Sequence, residues 1–256
     1  MGLSLLEISH RSKEFVAVND EARALIKELL DVPAGYEVVF MGGGASMQFC
    51  MVPYNLLNKK ASYLDTGTWA SNAIKEAKLF GEVDVVASSK DKNYTYIPKG
   101  YAIADDSDYF HFTSNNTIYG TEMRKDPDVK QRLVCDMSSD IFSRPIDISK
   151  YDIIYAGAQK NMGIAGLGVA IIREDLLQDV AQTTPVLLDY KLMIKNDSMY
   201  NTPPAYAIYV LGLVLEWIDS LGGLEVMKER NEKKAKLVYD YLDQSTFYKA
   251  HSDKEK

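Results

Sequence analysis

Cysteine is nearly absent from this chain of 256 residues: Cys50 and Cys135 stand far apart, outside any C-x-x-C or Cys/His cluster. That argues against a disulfide framework and gives no metal-ligand spacing, so no metal is expected and reduced thiols suit a cytoplasmic protein. A basic excess is missing as well, the formal net charge being −7. Nucleic acid and anionic membrane surfaces call for a basic face, so neither is expected as a partner, and any phosphate has to be held locally. Long apolar runs are also lacking. The most apolar stretch, Tyr206 to Ile218, is interrupted by Glu216 and falls short of the roughly 20 residues that cross a bilayer. It reads as a buried helix. The N-terminus has no charged segment followed by an apolar one, and Leu6 stands where a myristoylation pattern needs Ser or Thr, so neither export nor a lipid anchor is implied.

What is present is the composition of an ordinary globular protein, 46% apolar and 25% charged, long enough for one large domain or two small ones. Phe15 to Leu30 carries apolar residues at the helical period, and Asp31-Val32-Pro33-Ala34-Gly35 stops it. Tyr36–Met41 reads as a strand, Gly42-Gly43-Gly44 as a break, and Ser46–Leu57 as a helix. Strand-like Ala61–Asp65 and helical Trp69–Phe80 follow. Further β runs lie at Val83–Ala87, Tyr94–Ile97, Tyr109–Thr113, Leu133–Cys135, Ile153–Tyr155 and Gly168–Ile172. Short unbroken apolar runs between helices predict strands buried on both faces, hence an α/β fold with a mainly parallel central sheet flanked by helices. From Tyr206 the pattern is helical through Leu242, and the chain ends in a polar tail.

Chemistry concentrates in a few places. Tyr151 to Lys160 is a β-prone run that ends in small residues and then a lysine. A lysine so placed can form a Schiff base with an aldehyde cofactor if its amine is partly desolvated, although most lysines after strands are solvated end caps. Asp136 closes the run Leu133-Val134-Cys135. A buried carboxylate there can keep the pyridine nitrogen of pyridoxal 5′-phosphate (PLP) protonated, or simply cap the turn Met137-Ser138-Ser139. Gly42-Gly43-Gly44-Ala45-Ser46 offers backbone N–H groups to a phosphate at a helix start, or is a plain turn. It matches neither the P-loop nor the dinucleotide fingerprint. Trp69 can stack on a flat cofactor or sit in a core. Thr117, Asn201 and Thr202 lie in turn-like sequence, and Arg11, next to His10, can bind an anion or lie on the surface.

Taken together, Ser9-His10-Arg11-Ser12-Lys13-Glu14-Phe15, the glycine turn, Trp69-Ala70, Ser143-Arg144-Pro145-Ile146-Asp147, Ala158-Gln159-Lys160-Asn161 and Asn201-Thr202-Pro203-Pro204 resemble the phosphoserine aminotransferase family in order and approximate spacing. The resemblance runs from about Gly2 to about Tyr248. It implies the large domain of a class V, fold type I PLP enzyme, which moves an amino group from glutamate to 3-phosphohydroxypyruvate in serine biosynthesis and, in many bacterial members, also serves pyridoxine biosynthesis. By the same resemblance Lys160 is the internal-aldimine lysine and proton shuttle, Asp136 the partner of the ring nitrogen, and Trp69 the stacking ring. Ala45, Ser46, Thr117 and Gln159 contact the cofactor. Asn201 and Thr202 reach the phosphate of the neighbouring subunit in a homodimer, and His10 with Arg11 binds the substrate anion.

That resemblance also implies a division of the chain into a PLP-binding large domain, residues 1–245, and a polar tail, residues 246–256, where a small C-terminal domain would begin. The family's short N-terminal segment and the arginine of that small domain are expected to be missing, which predicts cofactor binding with weak turnover. Two alternatives accompany this reading: a catalytically incomplete PLP-binding fragment, and a nucleotide-binding α/β protein that uses the glycine turn.

Overall fold

The computed structural model describes residues 2–179 and 185–254; the last two residues of the expected tail, Glu255 and Lys256, lie outside them. The described residues hold nine strands, the first three alternating with helices: β1 Tyr36–Gly42, β2 Lys60–Asp65, β3 Glu82–Ser88, β4 Tyr109–Thr113, β5 Asn115–Asn116, β6 Thr121–Glu122, β7 Arg132–Asp136, β8 Ile153–Gly157 and β9 Leu167–Arg173. The helices are α1 Lys13–Leu29, α2 Gly44–Leu56, α3 Thr68–Ala77, α4 Tyr190–Lys195, α5 Ala205–Ser220 and α6 Gly223–Gln244.

Seven strands form one sheet in the order β1-β9-β8-β7-β4-β2-β3. The pairs β8/β7, β7/β4, β4/β2 and β2/β3 are parallel, while β9 runs antiparallel to both its neighbours. Two reversals restore direction, so β1 points the same way as β8, and the C-terminal ends of β1, β2, β4, β7 and β8 all face one edge of the sheet. In open α/β sheets that edge is where ligands bind.

Alternation along the strands feeds two cores. Phe110 and Phe112 of β4 pack with Phe15, Ala22 and Ile26 of α1 and with Ile208, Leu211 and Leu215 of α5. On the other face Tyr109, Tyr63 of β2 and Tyr155 of β8 meet Phe49, Met51 and Val52 of α2, Ile74 of α3 and Tyr190 of α4. Each such aromatic or branched side chain contributes roughly 1.5–3 kcal/mol by leaving water. Ser12 starts α1 by accepting the Phe15 N–H at 3.3 Å. The strands β4, β7, β8 and β9 are buried nearly end to end, as their unbroken apolar runs predict; β3, at the sheet edge, is half exposed.

Three expectations need correction. Tyr94–Ile97 forms no strand: Asn93 and Tyr94 take left-handed φ of 51° and 59°, and the buried Tyr94 ring packs a loop against Tyr119. The run from Tyr206 to Leu242 is two helices, α5 and α6, bent by 85° where Gly222 and Gly223 adopt φ of 101° and 75°. And α5 is buried on one side only, since Tyr206, Tyr209, Leu213 and Trp217 are exposed on the other. No single helix among the described residues is long and apolar enough to cross a membrane; α5 and α6 meet that test only jointly, as a bent pair.

Candidate active site

A cavity of about 440 Å³ opens at the C-terminal edge of the sheet. Its volume lies within the roughly 300–1,000 Å³ of small-molecule sites. It is lined by the first turn of α2 (Gly44, Ala45, Ser46), by Trp69 at the start of α3, and by Asp136, Gln159 and Lys160 beyond β7 and β8. Six of the expected cofactor residues therefore converge on one space: Ala45, Ser46, Trp69, Asp136, Gln159 and Lys160.

Asp136 ends β7 with only 4% of its surface exposed. Its Oδ1 accepts the Ser138 N–H at 2.9 Å and the Ser138 hydroxyl at 2.6 Å. The same hydroxyl oxygen accepts the Gly157 N–H at 3.0 Å, tying the turn after β7 to β8. Asp136 thus caps a turn and also faces the cavity. Burial pushes its carboxyl above the ordinary range, against the pull of the Ser138 hydrogen bonds and the charge of Lys160.

Lys160 follows β8 and the small residues Ala156, Gly157 and Ala158. Its amine donates to the Thr117 hydroxyl at 3.0 Å and lies 5.7 Å from the centre of the Trp69 ring. The side chain is solvent-exposed at the cavity rather than desolvated, contrary to the expectation for a reactive amine. Thr117 does not line the cavity; it reaches the site through Lys160. It sits on the tip of the two-stranded hairpin β5/β6, an element absent from the sequence reading.

The first turn of α2 is shaped for an anion. Gly43 and Gly44 have φ of 88° and 59°, and no side chain caps the helix, so its leading N–H groups have no competing side-chain acceptor. A methyl group on Gly168 of β9 would lie 2.9 Å from the Gly44 carbonyl oxygen; the absence of a side chain there lets the cradle settle onto the sheet. Two buried polar atoms at the cavity have no partner in the protein, Trp69 Nε1 and Thr113 Oγ1. A buried donor or hydroxyl left unpaired costs roughly 1–3 kcal/mol, so such atoms in a cavity point to a polar ligand. A flat ring, a buried carboxylate, an amine and an anion-binding helix start together fit PLP.

The remaining expected residues lie elsewhere. His10 and Thr202 line a second hollow of about 460 Å³, which shares Ala165 with the first. Arg11, Asn201 and Thr202 are exposed, and neither Arg11 nor Asn201 lines either hollow. A larger hollow of about 690 Å³, between residues 97–105 and 123–131, contains none of the expected site residues. Sequence reasoning missed Thr113, Asn115, Ser138 and Ser139, which line the cavity. Their signal was position: each follows within three residues of, or ends, a strand whose C-terminus faces the site.

The family model for class V aminotransferases matches residues 2–256. A phosphoserine aminotransferase of Parabacteroides distasonis is 77% identical over 249 residues, covering 97% of this chain and 70% of that protein. One from Porphyromonas gingivalis is 59% identical over 253 residues, with the same coverage of each chain. Among solved structures, phosphoserine aminotransferase from Bacillus circulans subsp. alkalophilus superposes with a TM-score of 0.96 at 47% identity, over 99% of this chain and 72% of that one. The PLP-bound enzyme from Trichomonas vaginalis gives 0.94 at 38% identity, over 98% and 72%. The nucleotide-binding alternative finds no support in these matches. With a cavity built for PLP and likeness along nearly its whole length, the chain belongs to the phosphoserine aminotransferase family of class V aminotransferases.

Proposed function

We propose that the chain is a PLP-dependent phosphoserine aminotransferase, exchanging an amino group between phosphoserine and 2-oxoglutarate in serine biosynthesis, with Lys160 as the residue that carries the cofactor and moves the proton. The observation that carries this reading is the convergence of the Lys160 amine, the buried Asp136 carboxylate and the Trp69 ring on one cavity at the start of α2. When bound, PLP supplies an aldehyde that captures amines and a ring that takes up electron density from the substrate's Cα.

The protein's part is positioning and proton control. The leading N–H groups of α2, with the Ser46 hydroxyl, hold the phosphate. Asp136, fixed by Ser138 through Oδ1, opposes the ring nitrogen and keeps a proton on it, and a cation there in turn offsets the cost of burying this carboxylate. Trp69 would stack on the cofactor ring, and Gln159 would offer it a polar contact. Lys160, restrained by Thr117, would take the proton from Cα of the amino donor and, in the reverse half of the exchange, give a proton to Cα of the 2-oxo acid that becomes the new amino acid.

Residues 1–245 serve in this reading as the cofactor-binding domain, with 246–256 leading towards a small C-terminal one, in a cytoplasmic homodimer. Asn201 and Thr202 are exposed on their own chain, as residues that complete a neighbour's phosphate site must be, and the exposed apolar stripe of α5 is the kind of surface a partner subunit covers. His10 and Arg11 bind the substrate anion. The test is incubation of the chain with PLP, phosphoserine and 2-oxoglutarate. Glutamate should form in step with phosphoserine loss, slowly but dependent on PLP, and should cease in Lys160→Ala; a complete lack of glutamate would contradict the proposal.

A further inference from the structure

The hairpin that carries Thr117 is too small to hold itself. β5 and β6 pair through only Asn115↔Glu122 and Asn116↔Thr121, and even a full-length isolated hairpin is marginal in water. Its position therefore comes from its two flanks. On one flank Asn116 and Tyr119 bond to Thr66 and Thr68 at the start of α3. On the other, the segment after Asp136 grips the hairpin's base: Ser139 exchanges hydrogen bonds with the Asn115 backbone and side chain, and the Ser114 hydroxyl meets Asp140 Oδ1 at 2.5 Å.

Arg144 ties this second flank to the returning strand. Its guanidinium lies 3.7 Å from Asp140 and 3.9 Å from Glu122, with 21% of the Arg144 side chain exposed and 6% of that of Asp140. Arg124 also approaches Glu122, at 3.4 Å, but its side chain is 69% exposed and water screens it. Burial already raises the Asp140 carboxyl to about 6, against the pull of Arg144; without Arg144, Asp140 and Glu122 would share no cation, and β6 would lose the charge that links it to the segment after β7. The distances to Asp140 and Glu122 exceed those of hydrogen bonds, so the link acts by charge. Arg144 is not among the residues that line the cavity, and the proposed chemistry leaves it no direct role.

We propose that Arg144 is a positioning residue for Lys160: held between Asp140 and Glu122, its guanidinium sets where the hairpin stands, and with it the Thr117 hydroxyl that restrains the amine. The inference rests on the reading of Lys160 as the cofactor-binding amine. Because the link is a matter of charge, Arg144→Lys should preserve it, whereas the neutral Arg144→Gln should not.

Two measurements on the whole chain decide the point. In the cofactor-free protein, hydrogen exchange of the Gly120 and Met123 amides, which bond to Asn116 and Ser114 carbonyls, should quicken about tenfold in Arg144→Gln, with β7 and β8 unchanged. In PLP titrations stopped by borohydride, the concentration giving half-maximal label on Lys160 should rise roughly fivefold in Arg144→Gln and return near wild type in Arg144→Lys. In a Thr117→Val background, Arg144→Gln should have almost no further effect on labelling. Should Arg144→Gln fail to fold, Glu122→Gln tests the same link and should quicken exchange about threefold. Unchanged exchange and labelling in a folded Arg144→Gln, unchanged exchange in Glu122→Gln, or a labelling defect that persists undiminished with Thr117→Val overturns the proposal. A wild-type label on some other lysine overturns the reading of Lys160 instead, and the exchange rates then still decide whether Arg144 holds the hairpin.

Discussion

Replacing Gly168 by alanine perturbs the cofactor cradle without touching any group that would contact PLP. The new methyl would stand 2.9 Å from the Gly44 carbonyl oxygen and 3.2 Å from its carbon. A relaxed carbon-to-oxygen contact begins near 3.3 Å, so the first turn of α2 has to move by roughly 0.4 Å. Both atoms are backbone, with no side-chain rotamer to absorb the strain. Overpacking of this kind costs about 1–3 kcal/mol. A strain near the middle of that energy range, borne partly by the N–H groups facing the phosphate, weakens PLP binding about tenfold. Gly212→Ala is the control. Gly212 lies inside α5, where a methyl would meet nothing closer than the Ala22 Cβ at 4.0 Å, so alanine should stabilise the fold by about 0.5–1 kcal/mol and leave PLP affinity unchanged. Thermal melts of the cofactor-free proteins and PLP titrations followed by visible absorbance read both effects. PLP affinity within twofold of wild type in Gly168→Ala would refute the argument that α2 holds the phosphate through this close approach.

Asp136→Asn should retain PLP, because the Asn oxygen can still accept from Ser138, but slow proton removal from the amino donor by about 100-fold; an unchanged rate in rapid-mixing spectra of the donor half-reaction would rule out its role opposite the ring nitrogen. Buried His111, hydrogen-bonded to Tyr155 at 2.8 Å and stacked on Tyr63, has its pKa lowered to about 3 by burial. Between its unfolded pKa near 6.5 and that value only the unfolded chain takes up the proton, so the His111 contribution falls as pH drops and is about 2 kcal/mol lower at pH 5 than at neutrality. The stability difference between wild type and His111→Gln, measured by urea unfolding, should therefore shrink by about 2 kcal/mol from pH 7 to pH 5; a difference independent of pH would show that the imidazole takes up its proton equally in the folded and the unfolded chain. Trp69→Ala should raise the PLP concentration for half-loading by roughly tenfold, since one stacked face is lost, and affinity equal to wild type would place the ring outside the contact.

The parallel sheet was legible because its central strands are buried on both faces, so β4, β7, β8 and β9 appear as unbroken apolar runs set between helices. Lys160, Asp136 and the glycine turn were legible for a related reason: each stands where an apolar run stops, and in a parallel sheet those stops share one edge. Tyr94–Ile97 misled because aromatic and branched residues serve loop packing as well as strands, and only the left-handed turn at Asn93 and Tyr94 distinguishes the two. The hairpin β5/β6 carries no apolar alternation, since Asn115 and Asn116 pair with Thr121 and Glu122 and are held by long-range polar contacts. Its partners lie more than 20 residues away in sequence, at Ser139, Asp140 and Arg144, or some 50 residues away, at Thr66. The exposed side of α5 was hidden by composition, because a one-sided apolar helix and a buried one look alike when both faces are aliphatic or aromatic.

The central claim is that Lys160 carries the cofactor, and reduction of the PLP-loaded chain with borohydride followed by peptide mapping tests it most directly. The pyridoxyl group should be found on Lys160, in the segment that begins at Tyr151, and PLP should leave no stable label in Lys160→Ala. A label on Lys75, Lys150 or any other lysine, with Lys160 unmodified, would contradict the account.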